Sequence, residues 1–348
     1  MKINTTRRST LAAVGLAATL AVAPALAGTA AAQGPARMVA SAKAGTVERW
    51  AGADRYEASA NVSKAAFLPG VTTAYIASGL VYTDALSVAP VAARDQGPVL
   101  LVRPDSVPEA VVAELTRLQP QQIVVIGGTT TITGAVINAL RPLTTGEVTR
   151  IAGPSRYSTS AKISALNFAT SPEVAYIASG EVFPDALSGA PVAGMTPGPT
   201  LLVEHDNVPG VIKLELERLR PKYIIVLGGE STIDLATYSF LTRYTLGAVA
   251  RWASVDRFAT SAVISQNSFS PSVPVAYVAS GRVFADALSG APVAGMTKGP
   301  MLLVDTNAIP ASIAAELVRL QPKRIVVLGG TASVTESVET ALAGYIVP

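Results

Sequence analysis

Apolar residues along this chain fall into two kinds of stretch. Short unbroken runs, such as Ala74-Tyr75-Ile76-Ala77, Val99-Leu100-Leu101-Val102 and Ile123-Val124-Val125-Ile126, read as strands buried on both faces. Elsewhere the apolar positions recur at helical spacing: Val111, Leu115 and Leu118 follow i, i+4, i+7 behind Pro108, a residue that suits a first helical turn. Over residues 46–146 the pattern predicts a strand from Val47 to Ala51, a helix from Arg55 to about Phe67, and the strand at Ala74 to Ala77. A helix from Asp84 to Arg94 comes next, limited or kinked by Pro90. After the strand at Val99 come the helix Pro108 to Leu118, the strand at Ile123 and a last helix from Ile132 to Leu140. Strands alternating with helices predict a parallel sheet of about four strands with helices on both faces.

The whole pattern returns twice at a fixed interval of 101 residues. Arg49-Trp50-Ala51-Gly52 reappears as Arg150-Ile151-Ala152-Gly153 and as Arg251-Trp252-Ala253-Ser254, and Gly127-Gly128 as Gly228-Gly229 and Gly329-Gly330. The apolar helix face becomes Ile212, Leu216, Leu219 and then Ile313, Leu317, Leu320. The expected fold is α/β: three tandem compact doubly wound modules with short parallel sheets, covering residues 46–146, 147–247 and 248–348. Links near 146 and 247 are too short for flexible tethers. Three like units can close into a ring of pseudo-threefold symmetry or lie in an open row.

Residues 1–32 stand outside the repeat. Lys2, Arg7 and Arg8 precede an apolar run from Leu11 to Ala27, and Ala30-Ala31-Ala32 offers small residues before Gln33. That order is expected of a signal peptide cleaved after Ala32, through either the general or the twin-arginine route; a retained membrane anchor is the alternative. Residues 33–45 are expected to form only a short segment. Of the 27 basic residues, three lie in the signal segment, and the remainder equals the 24 acidic residues. A neutral mature chain argues against a broad basic surface for nucleic acid. No second apolar span suggests a membrane crossing once the signal is removed, and the absence of cysteine removes disulfide and thiolate chemistry.

Ligands of open α/β sheets gather at the carboxyl ends of strands. There Asp54, Ser155 and Asp256 suit helix N-caps, and Thr131, Thr232 and Ser333 are expected to cap the last helix of each module. Arg55, Arg156 and Arg257 follow the first cap, where the helix macrodipole disfavours a cation. Three such placements imply a compensating partner, either an internal carboxylate such as Asp84, Asp185 or Asp286, or an external anion. Ser78, Ser179 and Ser280 close the central strands. Tyr82, Phe183 and Phe284 lie two residues before the aspartates, placed to stack on a sugar ring or to anchor the loop. Gly128, Gly229 and Gly330 belong to glycine pairs that let backbone amides approach an anion, or that serve a tight turn. The lone His205 occurs in one module, and no zinc, nucleophile-elbow or P-loop pattern is present, so no catalytic residue, metal or cofactor is expected.

Taken together, Arg49-x-x-Gly52-x-Asp54-Arg55-Tyr56, Ile76-Ala77-Ser78-Gly79 with Asp84-Ala85-Leu86-Ser87, Pro98-x-Leu100-Leu101-Val102 and Val125-Ile126-Gly127-Gly128 resemble the cell wall-binding repeat 2 family. The resemblance spans nearly all of the chain after residue 45. It implies a pseudo-threefold set of α/β modules that holds an exported protein non-covalently on the wall of a Gram-positive-type cell. The implied partner is an anionic secondary wall polymer or a peptidoglycan-linked glycan, with no enzymatic activity of the chain's own. The alternative is an auxiliary modulator of a wall amidase, with that hydrolase as protein partner. Ser155, Ser254 and Phe258 depart from the motif, so three equal sites are not implied.

Overall fold

The computed structural model describes residues 45–347, and there the short unbroken apolar runs become parallel strands. The signal-peptide expectation therefore lies outside the described residues, as does the segment 33–45 apart from Gly45. The strands are β1 (Val47–Trp50), β2 (Thr73–Ser78), β3 (Val99–Val102), β4 (Gln122–Ile126), β5 (Val148–Ile151), β6 (Val174–Ser179), β7 (Thr200–Val203), β8 (Tyr223–Leu227), β9 (Val249–Trp252), β10 (Ala276–Ser280), β11 (Met301–Val304) and β12 (Ile325–Leu328). The helices are α1 (Arg55–Ala66), α2 (Ala89–Arg94), α3 (Glu109–Leu118), α4 (Gly134–Leu140), α5 (Arg156–Asn167), α6 (Pro184–Met195), α7 (Gly210–Leu219), α8 (Leu235–Leu241), α9 (Arg257–Ser268), α10 (Phe284–Met296), α11 (Ala311–Leu320) and α12 (Glu336–Leu342). Val111, Leu115 and Leu118 are fully buried, as are their counterparts on α7 and α11.

The three sheets run β3-β2-β4-β5, β7-β6-β8-β9 and β11-β10-β12-β1. The strand that opens each sequence repeat thus lies in the sheet of the preceding repeat. In particular β1 pairs with β12, Val47 opposite Ile325 and Trp50 opposite Leu328, which closes the three units into a ring. Sheet units and sequence repeats are offset by one strand. The exchange is pinned by arginine: Arg49, Arg150 and Arg251 each send Nη1 to the carbonyl of Gly329, Gly127 or Gly228 in the preceding unit. Those glycines have φ between +100° and +110°, a conformation that side-chain-bearing residues avoid.

Helices α2, α6 and α10 pack against one another around the pseudo-threefold axis. The expected helix from Asp84 to Arg94 is shortened to α2, whereas α6 and α10 run through Pro191 and Pro292. Val88 explains the difference. It occupies the place of Gly189 and Gly290, where a Cβ would collide with Leu227 or Leu328. The first repeat consequently turns from Thr83 to Val88 before helix begins at Ala89. Ser87 then keeps a buried hydroxyl with no partner, while Ser188 and Ser289 donate to the carbonyls of Pro184 and Ala285.

A second repeated device joins helices within each unit. Glu114 on α3 accepts both Nε and Nη2 of Arg117 at 2.7 Å and the hydroxyl of Ser63 on α1, and Arg117 also donates to the Phe67 carbonyl. Glu215 and Glu316 repeat this with Arg218, Ser164 and with Arg319, Ser265. Glu316 is fully buried, and its charge is made tolerable by three donors, two from Arg319 and one from Ser265.

Candidate functional site

The carboxyl ends of all three sheets open toward the junctions between repeats. Asp54, Ser155 and Asp256 cap α1, α5 and α9 as expected, each side chain accepting backbone N–H groups of the first turn. Thr131, Thr232 and Ser333 are not caps. Helices α4, α8 and α12 begin later, behind Thr133, Asp234 and Thr335, because the turn after each glycine pair takes two further residues. Two of the displaced hydroxyls meet the junction aspartates instead: Ser333 donates to Asp286 at 3.1 Å, and Thr131 bonds the half-buried Asp84.

Each arginine of interest has two neighbours. Nη1 of Arg55, Arg156 and Arg257 donates to the carbonyl of Gly79, Gly180 and Gly281, the residue after the central strand of its own repeat. The carboxylate within electrostatic reach belongs to the preceding repeat: Arg156 faces Asp84, Arg257 faces Asp185 and Arg55 faces Asp286. Among the described residues no ion pair joins Arg55, Arg156 or Arg257 to these three aspartates. The internal partner expected from the sequence is thus a carbonyl at contact distance plus a carboxylate across the junction.

Burial raises all three carboxyls above the usual range, since a desolvated charge is disfavoured. Hydroxyls offset this at Asp84, which receives Thr159 and Thr131, and at Asp286, which receives Ser333. Asp185 is only 8 % exposed, and Arg257 across the junction is the one group that counters its desolvation; the result lies at about 6. Thr159 and Thr260 have no counterpart in the first repeat, where Ala58 stands.

Ser78, Ser179 and Ser280 serve the following loop. Their hydroxyls accept backbone N–H groups two or three residues on, from Leu80 and Val81, from Glu181 and Val182, and from Arg282. Tyr82, Phe183 and Phe284 leave the junctions and meet at the axis, with ring centroids 5.3 to 6.1 Å apart in edge and tilted contacts. The Tyr82 hydroxyl donates to the Glu181 carbonyl, tying one repeat's loop to the next. Loop anchoring, the second of the two roles open from the sequence, is what this geometry performs.

The junction between the second and third repeats encloses a cavity of about 340 Å³. It gathers Ser179, Asp185 and Gly229 from one repeat with Asp256, Arg257 and Thr260 from the next. Candidates that are distant in the sequence are therefore brought together, but across a junction rather than within a module. Glu181 in the same wall, and the Arg49-type clamp behind the glycine pairs, went unassigned in the sequence reading. The triple recurrence of Arg49 was the available signal. Among the described residues no cluster of side chains suits a metal ion, and no helix is long and apolar enough to cross a membrane.

Comparison with known proteins places this geometry. The model of cell wall binding domain 2 matches residues 49–137, 150–238 and 251–339. The amidase enhancer of Bacillus subtilis (strain 168) is 28% identical over 297 residues, covering 85% of this chain and 40% of the relative. The N-acetylmuramoyl-L-alanine amidase LytC of the same organism is 25% identical over 302 residues, covering 87% and 59%. The chain thus spans less than two thirds of the length of these curated relatives. Among solved structures, Cwp6 from Clostridium difficile aligns with a TM-score of 0.82 at 24% identity, over 88% of this chain and 48% of that one. Cwp8 from the same organism aligns with a TM-score of 0.77 at 25% identity, over 86% and 51%. With three matches covering most of its length, the chain belongs to the cell wall binding domain 2 family.

Proposed function

We propose that this chain is an exported, non-enzymatic protein that holds to an anionic wall polymer through its three repeat junctions. The observation that carries this reading is the convergence, on one end of all three sheets, of an arginine, a glycine-pair loop and a hydroxyl-bearing turn at each junction. Arg55, Arg156 and Arg257 each commit one nitrogen to a carbonyl, which leaves the rest of a planar donor fork for a phosphate or carboxylate. A charge-assisted contact of this kind contributes about 1.5–3 kcal/mol. Three sites held rigidly together multiply weak contacts, with avidity gains of roughly 10²–10⁴. The neutral balance outside the first 32 residues fits local pockets better than long-range attraction.

The test is sedimentation of the protein with intact walls and with walls stripped of their anionic polymers. Changing one arginine to alanine should weaken retention modestly, and changing all three should release the protein, with circular dichroism confirming a native fold. Unchanged retention of a folded triple variant would show that the arginines serve only the loops. The amidase-related relatives support a second reading, in which the chain modulates a wall amidase as its protein partner. A pull-down on purified polymer, with and without an amidase, separates the two: capture that requires the amidase favours the second.

A further inference from the structure

The three junctions differ in charge. At the junction of the first and second repeats, Leu80 and Ser155 occupy the positions that Glu181 and Asp256 hold at the next one. The third junction carries Arg282 and Asp54 there, the arginine bound to Asp305 at 2.7 and 2.8 Å through two nitrogens. Only between the second and third repeats do three carboxyls, Glu181, Asp185 and Asp256, share one cavity wall with a single guanidinium, that of Arg257. An acidic rim alone is ordinary. What sets this cavity apart is Asp185.

Asp84 and Asp286 have hydroxyl partners, whereas no hydrogen bond to Asp185 offsets its burial. The Asp185 side chain is more than nine-tenths buried, lines the cavity and lies against the Gly228 backbone, where a Cβ would come within 2.5 Å of Oδ2. A buried carboxylate without donors costs stability, and native structures supply such groups with partners. Arg257 acts on Asp185 across the junction through its charge, its Nη1 being tied to the Gly281 carbonyl, and closes no ion pair with it. The cavity is at the small end of ligand pockets, which span about 300–1,000 Å³, and suits one sugar-sized group.

We propose that this junction binds a ligand group bearing a protonated primary amine, as on a non-acetylated amino sugar, with Asp185 as the direct acceptor and Glu181 and Asp256 supplying the surrounding negative field. The inference rests on the wall-binding reading and deepens it: the polymer unit seated here carries an ammonium, whatever acidic groups it presents to the other junctions. An ammonium has three donors and no acceptor, and its charge suits a cavity where three carboxyls face one guanidinium. An acetylated amine loses both the charge and two of those donors.

Titration calorimetry of the full chain with glucosamine and with N-acetylglucosamine tests the proposal. The amine form should bind at least about tenfold more tightly, the worth of one charge-assisted contact. Asp185→Asn should bring glucosamine to the level of the acetylated sugar, and Glu181→Gln, on an exposed loop, should weaken it severalfold without touching the core. Equal binding of the two sugars, no glucosamine binding over the millimolar range, or full binding by a folded Asp185→Asn variant would each overturn the proposal. Wall sedimentation run on the same samples distinguishes the two levels: retention without glucosamine binding sinks this inference alone, while loss of retention by the wild-type chain sinks the wall-binding reading.

Discussion

At the pseudo-threefold axis, position 93 and its counterparts hold Ala93, Gly194 and Gly295. A Cβ built on Gly194 would lie 2.6 Å from the Ala93 Cβ and 3.4 Å from the Pro90 carbonyl oxygen, so the axis has room for one methyl group. Substituting Gly194→Ala sets two effects against each other. Alanine in place of glycine inside a helix contributes about 1 kcal/mol. Forcing a methyl into a filled core costs about 1–3 kcal/mol, because α2 and α6 must separate along their shared contact. The single variant should therefore be neutral to about 2 kcal/mol less stable. Adding Ala93→Gly vacates the space, so that in that background Gly194→Ala should raise stability by about 1 kcal/mol. The quantity to measure is the coupling energy of the cycle, from urea unfolding of the four proteins, with an expected value of about 1–3 kcal/mol. Thermal melts should show the same reversal of sign, at about 2 °C or more per kcal/mol. If Gly194→Ala stabilises the protein equally in both backgrounds, the helices at the axis are not in contact as described.

Two further outcomes follow from the junctions and the ring. Asp185 has a folded-state value raised from 3.8 to about 6, so the folded chain binds its proton more tightly than the unfolded chain does; stability should fall as pH rises from about 4 to about 6 and stay lower above it, by about 3 kcal/mol at most. Asp185→Asn should accordingly stabilise the protein at pH 7.5 and not at pH 4, and denaturant midpoints that shift alike at both pH values would refute the assignment. A fragment of residues 54–152 keeps the four strands β2, β3, β4 and β5 and should be a folded monomer, whereas residues 46–146 leave β1 unpaired and strip β4 of its β5 neighbour. The second fragment should be unfolded or should assemble as a ring of three copies, and light scattering that finds it monomeric with a cooperative melt would contradict the exchanged strands.

Much of this architecture is written locally. The runs at Ala74, Val99 and Ile123 are apolar at every position, which only a strand covered on both faces requires, and the caps at Asp54, Ser155 and Asp256 depend on the few residues that follow them. The 101-residue interval carried that reading to all three repeats. Within it, Val88 in place of glycine was already visible, but its consequence was not, because the glycine is needed for the approach of Leu227 or Leu328 from another strand. Strand exchange was out of reach for the same reason. An apolar run at Val47–Trp50 states that two neighbours cover it, not that β12, some 280 residues away, supplies the hydrogen bonds. The candidate site shows the division most clearly. Its residue types were legible, since an arginine at a helix start and an aspartate that never becomes serine or asparagine both run against local preference. Their partners were decided by the ring, which sets Arg257 beside Asp185 rather than Asp286 and draws Tyr82, Phe183 and Phe284 away to the axis. Local free energies are spelled out by neighbours in sequence; desolvation and charge at a junction exist only once distant segments have displaced the water between them.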